Sequence, residues 1–181
     1  AIDVIENNLS NKILKPENHF IQNIEVETFK FDDKSKTLII ANQILEHCKE
    51  IFWIHHEIFR ILEVGGYFIV GFPNLASYYN RLSLLLGKQP YCIKLESAHV
   101  RGFTKMGYKD FLSDSIKGKY KIRDFKGANF VPFPNTVASK LSKIFPNYST
   151  CIFFLIEKIK DYDGEFLLNK EILETNFKLT K

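Results

Sequence analysis

The sequence predicts an α/β chain built as a doubly wound, mostly parallel sheet, and three observations predict it. Strand-like and helix-like segments alternate along most of the 181 residues. Leu38, Ile39 and Ile40 form a continuous apolar run, the pattern of a strand covered on both faces in a parallel sheet. After it, Ile51, Ile54, Ile58, Ile61 and Leu62 recur at the three–four spacing that gives a helix one buried face.

The elements follow in order. Residues 1–5 read as a short apolar strand carrying Asp3, and Asn7-Asn8 lead into a brief helical stretch that Pro16 ends. Residues 19–24 are the next strand. The polar stretch 25–35 reads as a loop pinned to the core by Phe29 and Phe31, and 37–41 is the third strand. The periodic helix covers about 49–63, with Gly65 as its C-terminal stop. Strand 67–72 closes at Pro73-Asn74, a helix over 75–86 ends at Gly87, and 87–102 is a long loop over the site. Thr104 is placed to N-cap a helix running to about 115. Strands 120–125 and 151–157 flank a proline-bracketed helix over 136–144. Residues 1–160 thus form one α/β domain, and 161–181 a polar tail with an apolar cluster at 166–168.

Composition narrows the function. Net charge is +4, from 25 basic and 21 acidic residues, and no block of five or six Lys/Arg occurs, which argues against nucleic-acid binding. The three cysteines, Cys48, Cys92 and Cys151, are far apart and show no metal-ligand spacing, which points to a reducing cytoplasm. No apolar run reaches the roughly 18–20 residues that span a bilayer, so a membrane partner is not expected. His55-His56 does not read as a metal pair, because adjacent helix residues point about 100° apart; no metal is expected.

At L-I-I-A-N-Q-I-L-E-H and L-E-V-G-G-Y-F-I-V-G-F-P-N, beginning at Leu38 and Leu62, the chain resembles the class I S-adenosylmethionine-dependent methyltransferases. The similarity is greatest to the small-molecule branch that includes the methionine-biosynthesis W-type and ubiquinone-type enzymes. Phe31-Asp32-Asp33 and the H-V-R-G-F-T run from His99 to Thr104 match that branch in place and spacing, and the resemblance extends from Ala1 to about Lys158. It implies strand order 3-2-1-4-5-7-6 with an antiparallel last strand. It also implies S-adenosylmethionine as cofactor, S-adenosylhomocysteine as product, and methyl transfer to O or N of a small molecule, such as a sugar or phosphorylated metabolite.

Position by position, the resemblance assigns Asp3 to the cofactor's ribose hydroxyls, Glu25 and the Val26 backbone to its adenine, and Asn42 and Gln43 to its methionine part. The family's aspartate before the central strand is Thr37 here. No G-x-G occurs, and all nine glycines lie at 65 or beyond. The glycine loop and first strand of the family are therefore missing, and the sheet would have a central gap with two rows of unpaired backbone groups. The expectation is that about 40–50 residues precede Ala1 in the natural protein, from typical element lengths.

Alignment of the reactants and removal of a proton are what methyl transfer asks of a protein. His47 is the candidate base, His99 and Arg101 the candidates on the covering loop, with Arg101 suited to a substrate phosphate or carboxylate. Each also has a plain alternative: a helix-start histidine bonded to backbone, and a loop-anchoring His/Arg pair. Tyr78 and Tyr79 are placed to line an acceptor pocket or simply to pack. Phe130, Phe133 and Phe145 read as core, a lid or a homodimer patch. A non-catalytic methyltransferase-like scaffold or partner subunit is the second function the sequence allows. A dinucleotide enzyme would need a fingerprint that is not present.

Overall fold

The computed structural model describes residues 2–3 and 20–168; the expected helical stretch before Pro16 lies outside them. The described strands fall into two sheets. In the first, β1 (Ile2–Asp3) runs parallel to β2 (Phe20–Ile21). The second has the order β3-β4-β6-β5, with β3 (Lys36–Asn42), β4 (Leu62–Pro73), β5 (Tyr120–Ala128) and β6 (Cys151–Lys158). β3 and β4 are parallel, and β6 is antiparallel to both β4 and β5. These are the 3-2 and 4-5-7-6 flanks of the expected order, and no described strand joins them.

That break corrects one expectation. β3 is not covered on both faces: Leu38 and Ile40 are 51% and 59% exposed, because β4 is its only partner among the described residues. A groove of about 500 Å³ runs along it, lined by Leu38 to Ala41, by Phe29 and Phe31, and by Ile54, Ile58 and Ile61 of α1 (Ile51–Ile61).

Helix α1 buries the apolar face that its spacing dictates, with Ile54, Ile58, Phe59 and Ile61 almost fully enclosed. It ends two residues earlier than the sequence suggests. Gly65 does adopt a positive φ of 86°, yet it lies within β4, where the register against β3 shifts between Lys36 and Leu38. The end of α1 is satisfied instead by Lys158, whose buried ammonium donates to the carbonyls of Phe59 (2.7 Å) and Leu62 (2.6 Å). A cation at a helix C-terminus satisfies carbonyls that have no intrahelical partner and complements the helix dipole.

The 25–35 loop is pinned as expected, with Phe29 in the core and Phe31 packed against it. A polar clamp reinforces the rings. Glu57, 1% exposed, accepts from Arg60 through both carboxylate oxygens, and its Oε2 also takes the Phe29 N–H at 2.6 Å. Arg60 then donates to the carbonyls of Phe29 and Phe31 and to Asp33. The buried carboxylate is tolerated because a bidentate guanidinium and a backbone donor compensate it.

The other helices are α2 (Tyr78–Leu85), α3 (Lys105–Ile116) and α4 (Asn135–Ile144). Ser77 caps α2 and Thr104 caps α3, each accepting from the N–H three residues on. β5 runs three residues past its expected end. Phe166, beyond the expected domain boundary, is 1% exposed and packs on Phe59 and Phe111. No described helix is long and apolar enough to cross a membrane.

His55 is fully buried beside Phe68, Phe111 and Phe166. Its Nδ1–H donates to Ile51 O at 2.7 Å, and its Nε2 accepts from the Tyr108 hydroxyl at 2.8 Å. His56 turns to a different partner, the Tyr162 hydroxyl. Burial lowers the His55 imidazole to about 4. The unfolded chain, with an ordinary value near 6.5, therefore binds more protons between these limits. Stability should be complete above about pH 6.5 and fall as pH drops toward 4, by on the order of 3 kcal/mol from this residue. Urea midpoints measured across that range should fall steeply in the wild type. In His55→Leu the slope should be shallower, from a lower starting point because Tyr108 loses its acceptor.

Candidate active site

The site is built where β3 ends. Asn42 is the last residue of the strand, and Gln43 follows with φ of 56°, a left-handed conformation uncommon outside glycine. The Gln43 N–H donates to Gly71 O at 2.8 Å, so the turn is hung from the end of β4. Its side-chain Nε2 is buried with no hydrogen-bond partner, an unsatisfied donor of the kind that costs free energy unless a ligand meets it.

Gly71 is needed here for space. A Cβ on it would stand 2.4 Å from the Phe153 ring and 2.9 Å from Asn42 Oδ1. The missing side chain lets Asn42 fold across β4.

A single 3-10 turn, Leu45–His47, comes next, anchored by Leu45, which is fully buried. Its polar residues meet the long loop. Val100 N and Arg101 N both donate to Glu46 O, at 2.8 and 3.2 Å. Arg101 adds Nε to Cys48 O (3.2 Å) and Nη2 to Lys49 O (2.5 Å). The loop is thereby fastened over the start of α1, and these two Arg101 donors serve the fastening.

His47 and His99 meet across this junction with ring centroids 4.7 Å apart, edge to face. His47 Nδ1 donates to Ala98 O at 3.3 Å and His99 Nδ1 to Cys92 O at 2.7 Å. A carbonyl can only accept, so both Nδ1 atoms carry a proton, and in the neutral ring Nε2 is the nitrogen left with the lone pair. Beneath them lies Glu46, its side chain 2% exposed, with Oε1 4.0 Å from His47 Nε2. Burial pushes the Glu46 carboxyl up, while its own backbone N–H and the two histidines act in the opposite sense.

The remaining sequence-derived candidates are dispersed. Glu25 Oε1 accepts from Lys49 N and from Glu50 N (3.1 Å), so it caps α1, whose N-cap residue Glu50 does not cap the helix with its own side chain. Val26 is exposed, and its N–H donates to Asn23 O within a turn. Asp3 sits in β1 opposite Ile21. Tyr78 lines an aromatic pocket of about 410 Å³ with Phe130, Phe133, Leu141, Phe145 and Tyr148, whereas Tyr79 is 44% exposed and does not line it.

Two residues were not singled out from sequence. Glu46 stands inside the L-E-H run, and only its burial beneath two histidines marks it. Asn74, at the end of β4, is wholly buried and donates to the carbonyls of Asn147 and Ser149, both at 2.9 Å. The Pro73-Asn74 pair signalled the strand's end but not this bridge.

Residues 1–70 match the family model described as a methyltransferase domain. No curated protein matches the chain significantly. Among solved structures, a SAM-dependent methyltransferase from Archaeoglobus fulgidus is similar with a TM-score of 0.54 and 13% identity, covering 87% of this chain and 74% of its own. An S-adenosylmethionine-dependent methyltransferase from Mesorhizobium loti gives 0.52 and 12%, covering 87% and 78%. One from Methanosarcina mazei gives 0.51 and 14%, covering 89% and 81%. At this identity the likeness is one of fold.

Gly71→Ala should destabilise the protein by about 1–3 kcal/mol, the usual cost of overpacking, as read from urea midpoints. The fold in which this site sits is that of the S-adenosylmethionine-dependent methyltransferases, and residues 1–70 carry the pattern of a methyltransferase domain.

Proposed function

We propose that this chain carries one wall of an S-adenosylmethionine site and the base of a methyl transfer to O or N of a small molecule, such as a sugar or phosphorylated metabolite. The observation that carries the reading is the turn after β3. There the left-handed Gln43 holds a buried amide donor without a partner, a short 3-10 turn from His47. In open α/β sheets, ligands bind beyond the carboxyl ends of the strands. An amide at that end suits the carboxylate of the cofactor's methionine part.

The cofactor supplies an activated methyl group on a sulfonium. On the protein side, Asn42 and Gln43 hold its methionine end, and Asp3 takes the ribose hydroxyls. Glu25 keeps one carboxylate oxygen, Oε2, for the adenine amino group, beside Val26. His47, with its Nε2 lone pair and partial exposure, takes the proton of the acceptor. His99 buttresses that ring, and Arg101 holds the loop in place over them with charge to offer an anionic acceptor. Tyr78 and Tyr79 shape the way in. The edge of β3 that has no strand partner among the described residues supports a further element of the reading: a strand bearing a glycine loop along Leu38 and Ile40 would let the cofactor be gripped from both sides.

The same edge, unpaired among the described residues, with Glu25 already engaged by α1 and Thr37 in place of an acid, favours a second reading, a non-catalytic scaffold of methyltransferase fold.

Calorimetric titration with S-adenosylhomocysteine separates the two. The expected outcome is weak or no binding by this chain and saturable binding by a form extended at its amino end with a glycine-loop unit. Absence of binding by both forms would leave the scaffold. In the binding-competent form, His47→Ala should cut turnover about 10²-fold or more, in line with loss of a general base, while cofactor affinity stays near wild type. A large loss of cofactor affinity instead would make His47 a cofactor residue.

A further inference from the structure

We propose that Glu46, His47 and His99 form a three-ligand site for a divalent transition-metal ion of the zinc class. One ligand atom from each of the three lies within 4.8 Å of the others. The pairing of two imidazoles with one carboxylate is a ligand set that zinc accepts with an open fourth position.

Two observations beyond proximity support the assignment. Both imidazoles have Nδ1–H committed to a backbone carbonyl, Ala98 O for His47 and Cys92 O for His99. That is how ligating histidines are held, with the outer hydrogen bond fixing the tautomer and aiming Nε2 at the ion. Secondly, Glu46 is a carboxylate almost wholly enclosed, and its Oε2 is buried with no hydrogen-bond partner. A cation is the partner that would best compensate such an oxygen.

The geometry needs a closure from a spread of up to 4.8 Å among the three ligand atoms. Ligands about 2.1 Å from a tetrahedral ion stand about 3.4 Å apart, against 4.0 Å between Glu46 Oε1 and His47 Nε2. His47, with 44% of its side chain exposed, has room to swing inward. Glu46 and His47 are adjacent in sequence, but the long Glu side chain lets them converge in the 3-10 turn. The open position then faces outward past His47, where a hydroxyl or carboxylate of a small molecule could bind.

The site does not depend on methyl transfer. A bound ion and a free base are alternative uses of the same His47 lone pair, and the ion can be tested with neither cofactor nor acceptor present. Titration of the purified chain with Co²⁺ alone should give the intense visible bands of a four- or five-coordinate ion, saturating at one equivalent and displaced by Zn²⁺. Glu46→Gln, His47→Ala and His99→Ala should each weaken binding by at least about tenfold, as for disrupted metal sites generally. His47 is exposed, so its variant does not put folding at risk. For the wild type, Zn²⁺ should protect His47 and His99 from carbethoxylation by diethyl pyrocarbonate, read by peptide mass spectrometry. A Co²⁺ spectrum that stays that of the aquo ion, or equal labelling of both histidines with and without Zn²⁺, would overturn the proposal.

Discussion

Everything in the larger sheet is measured from β4. It pairs along seven consecutive positions with antiparallel β6 and holds β3 in parallel register on its other side. Its far end is locked when Asn74 spans to the carbonyls of residues 147 and 149. The site depends on this strand at two points. Gly71 O receives the Gln43 N–H, and the missing Gly71 side chain admits Asn42. Without β4 in place the turn after β3 has neither its anchor nor its room.

The turn itself gathers polar groups that would be expensive to bury without purpose. An amide donor on Gln43 and an oxygen on Glu46 lack partners, while two imidazoles are held by their Nδ1 atoms with Nε2 presented. In a structure where the clamp at Glu57 and Arg60 satisfies a buried carboxylate so fully, open valences a few residues apart stand out. They are the groups on which the proposed cofactor and metal sites rest.

Much of this was legible in the sequence. The three–four spacing found α1, Thr104 announced a cap, and the order of the strands, including the antiparallel last one, came from a resemblance that the fold bears out. What was hidden has physical reasons. Leu38 to Ile40 read as doubly covered because an apolar run reports what a strand prefers to touch, not whether a neighbour is there to be touched. Gly65 read as a helix stop because a positive φ serves a bulge as well as a cap. The bond from the start of α1 to Glu25 left no sign in the sequence, because its partner lies 25 residues on. Lys158 was unremarkable in sequence, since a bond to carbonyls nearly 100 residues away leaves no local trace.

That lysine bears on the order in which the chain can assemble. During synthesis α1 emerges long before residue 158 does, so the carbonyls of Phe59 and Leu62 must stay hydrated until it arrives. The last turn of α1 and the pairing of β4 with β6 are completed by the same late arrival. Closing so long a loop is slow relative to local helix formation. A nascent chain ending anywhere before β6 would therefore display a frayed helix end beside the unpaired edge of β4. Such an exposed edge invites pairing with other chains, and β6 is the segment that ends that exposure.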